Sequence, residues 1–300
     1  MNDIPLFELN VFRPVHREEG DVTPFGSNRP YPIQGLELYS SAGLKRSPMG
    51  PLKSAFYRMS LTVDGSLDME IGLEHYVHQP RTISFTYPNQ VFSKRNASEN
   101  AWGYYILFAE DFLGELVPSV RIPSEFPYFD PVGQPLFQLT SSEIETIISH
   151  ILRIDQEMQE DLSGRVRSVR MHLYLLLLEA KRSYERQGLQ YASAGQDLVG
   201  RFRRLVGQHY MDKRQVSDYA SLLAVTPNHL GRVVKEATGR TPSDMIRDML
   251  LIEAKSLLKY TAFSVAEIGY RLDFSDPGTF GRFFRRGAGV TPLDYRHAED

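Results

Sequence analysis

The sequence predicts an α+β chain of two domains: an N-terminal β-barrel with a helical segment after it, then a C-terminal all-α double helix-turn-helix. Three observations predict this. Apolar residues alternate with a period of two up to about residue 139, and with a period near 3.6 from Thr140 onward. A segment of about fifty residues then recurs within the last hundred. Charge also divides along the chain: from Gln196 on there are 16 Lys and Arg against 13 Asp and Glu, leaving 18 against 24 for the rest. A basic C-terminal part on an acidic remainder is the asymmetry that nucleic-acid binders show.

A chain of 300 residues can bury two cores. Its longest strongly apolar run, Leu173 to Leu178, falls far short of the roughly 20 residues of a membrane span, so no membrane partner is expected. The start, Met1-Asn2-Asp3-Ile4-Pro5, lacks the basic and apolar regions of a secretory signal. There is no cysteine, which excludes disulfides, thiolate metal ligands and a cysteine nucleophile, and fits a cytoplasmic protein.

Residues 1–139 read as the barrel. Strand-like stretches run from Ala55 to Val63, Leu67 to Leu73, Thr82 to Tyr87 and Trp102 to Ala109. Turn residues separate them: Asp64-Gly65, Pro80-Arg81 and Pro88-Asn89. Asp64-Gly65 between two apolar strands predicts a hairpin, and the proline-rich stretch from Ile122 to Pro135 predicts a closing loop. Alternating residues on two facing strands, Tyr57 and Met59 with Trp102, Tyr104 and Ile106, would line a ligand pocket or else simply fill the barrel. His75 and His78, near Glu70 and Glu74, are the candidates for a metal. Residues three apart on a strand face opposite sides, so neither a metal site, a cofactor nor an enzyme is expected here.

Residues 140–187 read as helical. Thr140 followed by Glu143 fits a capping box, and Ile144, Ile147, Ile148, Ile151 and Met158 then share a face. Leu162, Val166, Val169, Leu173, Leu176 and Ala180 follow in spacings of four and three, a heptad-like seam. Two readings of that seam stand: contact with a second copy in a homodimer, or packing on the chain's own barrel, since Leu175, Leu177 and Leu178 widen the apolar face. Residues 188–195, small and polar, read as a linker.

In residues 196–300 the repeat sets Thr226-Pro227 over Asp276-Pro277, Gly231-Arg232 over Gly281-Arg282, Gly239 over Gly289, and Thr241-Pro242 over Thr291-Pro292. Upstream the offset drops from 50 to 49, placing Val216 over Val265, Ala220 over Gly269 and Leu223 over Leu272, so the second turn holds one extra residue. Each copy reads as a helix, a short turn, and a second helix opened by a capping residue and proline. With Leu230, Val233 and Val234 inside, Asn228, His229, Gly231, Arg232 and Lys235 face outward in the first copy. With Phe280, Phe283 and Phe284 inside, Pro277, Gly278, Thr279, Arg282, Arg285 and Arg286 start or line the outer face of the second. These are donors for base edges and phosphates, with small residues that permit close approach. Pro242 to Lys259 would join the copies as one helix of about 27 Å, short of but close to the ~34 Å between successive major grooves.

These residues resemble a known family. From about Asp197 to His297 the chain is similar to the DNA-binding domain of AraC/XylS regulators, above all in Phe263-Ser264-Val265-Ala266-Glu267-Ile268-Gly269-Tyr270-Arg271-Leu272-Asp273-Phe274-Ser275-Asp276-Pro277. Phe280, Arg282, Phe283, Phe284, Arg285, Gly289, Thr291-Pro292 and Tyr295-Arg296 close the match. The resemblance implies base contacts from Asn228, Gly231 and Arg232, then from Pro277, Gly278, Thr279 and Arg282; Gly231, Pro277 and Gly278 lack a polar side chain for that role. The N-terminal part resembles the cupin-like jelly-roll sensor of arabinose-type members, with Phe92 where related sensors often place a histidine.

The expected function is therefore sequence-specific binding of double-stranded DNA by a transcriptional regulator, controlled by a small-molecule effector in the barrel. RNA polymerase would be a partner if the protein activates. The alternative is a constitutive DNA-binding protein whose barrel only dimerises.

Overall fold

The structure is a computed structural model. It describes residues 6–9, 12, 31–42, 48–114, 121–130, 133–189 and 194–298. Among the described residues ten strands form two sheets: β1 (Leu6–Phe7), β2 (Leu36–Ser40), β3 (Met49–Ser54), β4 (Tyr57–Asp64), β5 (Leu67–Ile71), β6 (Glu74–His78), β7 (Thr82–Thr86), β8 (Phe92–Arg95), β9 (Trp102–Phe108) and β10 (Leu136–Gln138). One sheet runs β1-β3-β8-β5-β6 and the other β10-β7-β4-β9-β2. The chain passes back and forth between them, the habit of a double-sheet jelly roll. Only the short β1–β3 pair is parallel.

Asp64-Gly65 does not make the expected hairpin. β4 pairs with β7 and β9, whereas β5 pairs with β6 and β8, so the turn is a corner between sheets. Gly65 has φ 70°, and a Cβ there would come within 2.4 Å of the Ala101 backbone. The chain turns a tight corner that only glycine fits. The true hairpin joins Ile71 to Glu74 across Gly72-Leu73, with Gly72 at φ 61°.

The two faces of the second sheet differ in character along β4 and β7. One carries Tyr57, Met59, Leu61, Ile83, Phe85, Ile106 and Phe108, all buried. Against it lie helices α2 (Ser141–Gln159) and α3 (Arg165–Arg186), through Ile147, Ile151, Leu173 and Leu177. The capping box at Thr140 and Glu143 that starts α2 is formed as expected. The other face, toward the first sheet, carries Arg58, Ser60 and Thr62 in register with Thr86, Ser84 and Thr82. These polar side chains share the interior with a smaller apolar cluster that includes Tyr39, Leu52, Met69, Ile71, Phe92 and Leu107, while the larger apolar core sits outside the sandwich, beneath the helices.

The stretch from Ile122 to Pro135 is not a plain loop. Helix α1 (Ile122–Glu125) and a 3-10 turn at Pro127–Phe129 drive Phe126, Tyr128 and Phe129 into that same core, with at most 1% exposure. Tyr128 stacks on Phe85 at 3.9 Å and donates its hydroxyl to the Leu177 carbonyl at 2.6 Å. Prolines here end regular structure without excluding burial, because the aromatic side chains between them supply the apolar area.

Of the expected linker, residues 190–193 lie outside the described residues. Helix α4 (Ala194–His209) then opens a run of seven helices: α5 (Val216–Leu222), α6 (Pro227–Thr238), α7 (Pro242–Tyr260), α8 (Val265–Arg271), α9 (Pro277–Ala288) and α10 (Pro292–His297). The connector α7 serves two cores. Met245, Ile246, Met249 and Leu250 pack with α4, α5 and α6, while Leu251, Ala254, Leu257 and Leu258 pack with α8 and α9. Its 19 residues span about 28 Å at 1.5 Å per residue.

The first helical unit is docked on the sandwich. Val91 belongs to its core, and Arg203 and Arg204 pair with Glu74 and Asp130, each at 2.7 Å. Beneath them Lys53 donates to the Tyr210 hydroxyl at 2.7 Å and lies 3.5 Å from Glu253, which is fully buried and also accepts from Tyr210. Among the described residues no strand residue enters the second unit's core; Tyr260 links it to the sandwich, accepting from the Gly50 amide at 2.7 Å and meeting the Phe7 ring edge-on.

Candidate nucleic-acid interface

Each helical unit builds its outward helix by the same local rules. In α6 the Thr226 hydroxyl accepts from the His229 amide and Pro227 occupies the first turn; in α9 Asp276 accepts from the Thr279 amide and Pro277 follows. Both helices stop at a left-handed glycine, Gly239 at φ 71° and Gly289 at φ 80°. The turns before them share a left-handed residue at the aligned position, Ala224 at φ 55° and Asp273 at φ 57°. Where helices cross, small residues are required: a Cβ on Gly269 would stand 3.0 Å from that of Phe280, and Ala220 holds the same place in the first unit.

The outward faces emerge as the sequence predicts. Leu230 and Val234, or Phe280 and Phe284, are fully buried. Asn228, His229, Arg232 and Lys235 are exposed on α6, with Gly231 half-buried among them. Gly278, Arg282, Arg285 and Arg286 are exposed on α9, with Pro277 and Thr279 half-buried.

The charges on the two faces are arranged differently. Arg232 pairs with Glu236 one turn on at 3.1 Å and shares a 3.4 Å contact with the His229 ring. Arg282 meets no carboxylate among the described residues; it donates to the Thr279 hydroxyl at 2.9 Å, which donates to Asp276 at 2.7 Å. Those bonds from Thr279, side chain and backbone, pull the Asp276 carboxyl down to about 2, so it stays ionised and fixes the start of the helix. Arg286 stands where the first copy has Glu236, so α9 carries three arginines and no acid.

The residues expected to line a ligand pocket are not brought together as one. Tyr57, Met59 and Ile106 belong to the core beneath the helices, on the face turned away from the sandwich interior. Trp102 and Tyr104 border a cavity between the sheets whose inner wall is Arg58, Ser60, Thr62, His78 and Lys94. The strand alternation was legible, but which face was inside was not, because the larger apolar face belongs to the helices. His75 and His78 do point apart: His75 is exposed near Asp68, and His78 is buried with its Nδ1 2.9 Å from the Thr62 hydroxyl.

The helical seam is a correction. Val169, Leu173, Leu176 and Ala180 are fully buried within the single chain, Val166 packs against the same core, and Leu162 stands apart at 48% exposure. The seam is filled by the chain's own sheet and by α2, so a partner cannot use it. The apolar residues exposed on the pair are Leu152, Met171 and Leu175.

Comparison with known proteins agrees with this geometry. Residues 219–298 match the family model of a helix-turn-helix domain. The transcriptional activator RhaS of Escherichia coli K12 is 29% identical over 188 residues, covering 63% of this chain and 64% of RhaS; the match thus spans less than two thirds of that relative's length. Among solved structures, an AraC-type regulator from Chromobacterium violaceum is 25% identical over 35% of this chain and 94% of its own, with a TM-score of 0.33. ToxT from Vibrio cholerae is 15% identical over 87% and 96% of the two chains, with a TM-score of 0.43. With two capped units in tandem and a connector shared by both cores, the C-terminal part of the chain is a helix-turn-helix domain, similar to that of the activator RhaS.

Proposed function

We propose that this protein is a sequence-specific DNA-binding transcriptional regulator that places α6 and α9 in neighbouring major grooves and answers to a small-molecule effector held in the N-terminal sandwich. The observation that carries the reading is the second outward helix. One capped helix with an exposed arginine is common in helical cores, but two on one rigid connector, both free of packing on their polar sides, suit a repeating lattice of phosphates and base edges.

The test uses the full-length chain. DNA fragments selected from a random pool should share one motif with two boxes about one helical turn apart. Affinity should fall steeply with salt, because Lys and Arg contacts release counterions. Selection of no motif, or affinity indifferent to salt, overturns the reading.

The rival is a constitutive DNA-binding protein whose sandwich serves only to dimerise, and the heptad-like seam packs on the chain's own sheet. A homodimer has to use other residues, and Leu152, Met171 and Leu175, each 42–49% exposed, offer a contact. Leu175→Asp should then turn a dimer into a monomer by light scattering without loss of fold. Contact with RNA polymerase, if the protein activates, would follow from where it sits on the promoter.

A further inference from the structure

The inside of the sandwich contains a cation with no carboxylate partner among the described residues. Arg58 is 4% exposed, and its guanidinium lies 4.0 Å from the Phe92 ring and 5.1 Å from that of Phe12. Ring faces satisfy the flat sides of a guanidinium, whereas its N–H groups point outward in its plane. Two of those, Nε and Nη2, are buried and have no hydrogen-bond partner among the described residues. They are the adjacent pair along one edge, the fork that takes both oxygens of a carboxylate.

The surroundings agree with a missing anion. The cavity between the sheets has a volume of about 110 Å³, and no Asp or Glu is among its described lining residues. Lys94, on β8 of the facing sheet, meets no carboxylate among the described residues; burial and the neighbouring Arg58 charge lower its ammonium to about 8. Burial, opposed by the neighbouring Tyr105, brings Arg58 down to about 9, and burial brings the His78 imidazole to about 4. His78 adds a buried Nε2 without a partner. A buried cation without an acid, facing a second half-buried one, destabilises a folded protein unless something compensates it. Leu67, Met69 and Trp102 line the rest of the space.

We propose that the sandwich interior is the receptor for a small organic carboxylate, its two oxygens on the Nε–Nη2 edge of Arg58 beside the Lys94 ammonium and its carbon skeleton against Leu67, Met69 and Trp102. The proposal rests on reading the sandwich as an effector domain and gives that effector a chemical class. Size narrows it further: an apolar cavity of about 150 Å³ takes benzene, so this one suits a skeleton of about four to six heavy atoms.

The experiment titrates the full-length protein with butyrate and isovalerate, with butyramide and isovaleramide as neutral isosteres, with inorganic phosphate, and with a panel of neutral sugars. Binding is read by calorimetry and by thermal unfolding, and the effect on binding to the selected DNA is measured alongside. The acids should bind at least about tenfold more tightly than their amides, as expected for a charge-assisted bidentate contact. Arg58→Gln and Lys94→Gln should each abolish that preference, and both apo variants should melt no lower than the parent because a buried unpaired charge has gone. If Arg58→Gln fails to fold, Lys94→Gln carries the comparison. Equal binding of acid and amide, or an acid preference that survives Lys94→Gln, overturns the proposal. Phosphate that competes with butyrate at equal affinity overturns the carboxylate assignment in favour of an inorganic oxyanion. A neutral compound that alone binds and alters DNA affinity overturns the anion receptor while sparing the effector reading. If no compound of either kind binds, both fall.

Discussion

The two helix-turn-helix units are copies of one design with different things done to each. Their shared parts are the ones geometry demands: a capped and proline-led outward helix, a left-handed turn residue, a small residue at the crossing and a glycine stop. Their differences lie in core, charge and attachment. The first unit fills its outward helix with Leu230, Val233 and Val234, pairs its arginine with Glu236, and leans on the sandwich. The second uses Phe280, Phe283 and Phe284, adds arginines in place of the acid, and among the described residues has no strand residue in its core. We read this as a division of labour: the first unit is where the sensor can act, and the second grips DNA from a self-sufficient core.

The largest test of that contrast is packing. Phe284→Ala should cost the second unit about 3–5 kcal/mol, since it empties a fully buried aromatic site in a small core. Val234→Ala, at the aligned position, removes only two methyl groups and should cost about 2 kcal/mol. Hydrogen exchange, read separately for α8–α9 and α5–α6, should show the loss confined to the mutated unit. Equal destabilisation of both units by Phe284→Ala would mean that α7 merges them into one cooperative core.

Attachment comes next. Glu253 is the buried acid that joins Lys53 and Tyr210 across the sandwich boundary. Glu253→Ala leaves Lys53 nearly buried without its acid and should cost about 3 kcal/mol of docking. The second unit's own link is weaker: Tyr260→Phe removes a single hydroxyl acceptor for the Gly50 amide, worth about 1 kcal/mol. Calorimetry should show separate melting of sandwich and helical domain in Glu253→Ala and one transition in Tyr260→Phe. The reverse would place the coupling on the second unit.

Recognition is the third step. Arg232→Ala and Arg282→Ala should each lose about 1–3 kcal/mol of base discrimination if the arginine reads a guanine edge. The structure predicts the cleaner effect at Arg282, which the Asp276–Thr279 relay holds in place, whereas Arg232 has to leave Glu236 first. Selection with each variant should relax one box and leave the other unchanged. A uniform loss across all sequences would assign that arginine to phosphate.

The units themselves were legible in the sequence because every feature that builds them is local: Thr226 or Asp276 before proline, apolar residues at helical spacing, glycine at the stop. Strand positions were legible too, since Thr82 to Tyr87 and Trp102 to Ala109 lie within a residue of β7 and β9. What could not be read was which face of a strand is the inside. Tyr57, Met59 and Leu61 alternate with Arg58, Ser60 and Thr62, and local patterning puts the apolar set inward. That set faces a core made with helices some eighty to a hundred and twenty residues later, beneath the sheet, and the polar set is left to line the sandwich. The same nonlocal fact explains the seam: a heptad-like stripe is as good for a sheet as for a second helix, and here the sheet takes it. The Asp64-Gly65 corner misled for a related reason, as a turn between strands of different sheets uses the same residues as a hairpin.

The smallest effect sharpens the charge contrast. Glu236 and Arg232 are both about 60% exposed, so their ion pair contributes little to folding, within about 1 kcal/mol, and Glu236→Ala should leave the melting temperature nearly unchanged. Toward DNA the same change has two consequences. It frees Arg232 from a partner that competes with phosphate or base, and it removes a negative charge from the face that approaches a polyanion. Affinity should therefore rise severalfold at low salt. Because removing an acid adds no phosphate contact by itself, the slope of log affinity against log salt should change by less than one unit, whereas Arg286→Ala in the second unit should reduce it by about one. An unaltered affinity in Glu236→Ala would mean that the first outward helix keeps Arg232 folded back on itself even on DNA. Reading would then fall to Asn228 and His229, and the two units would differ in how they recognise bases as well as in how strongly they hold the backbone.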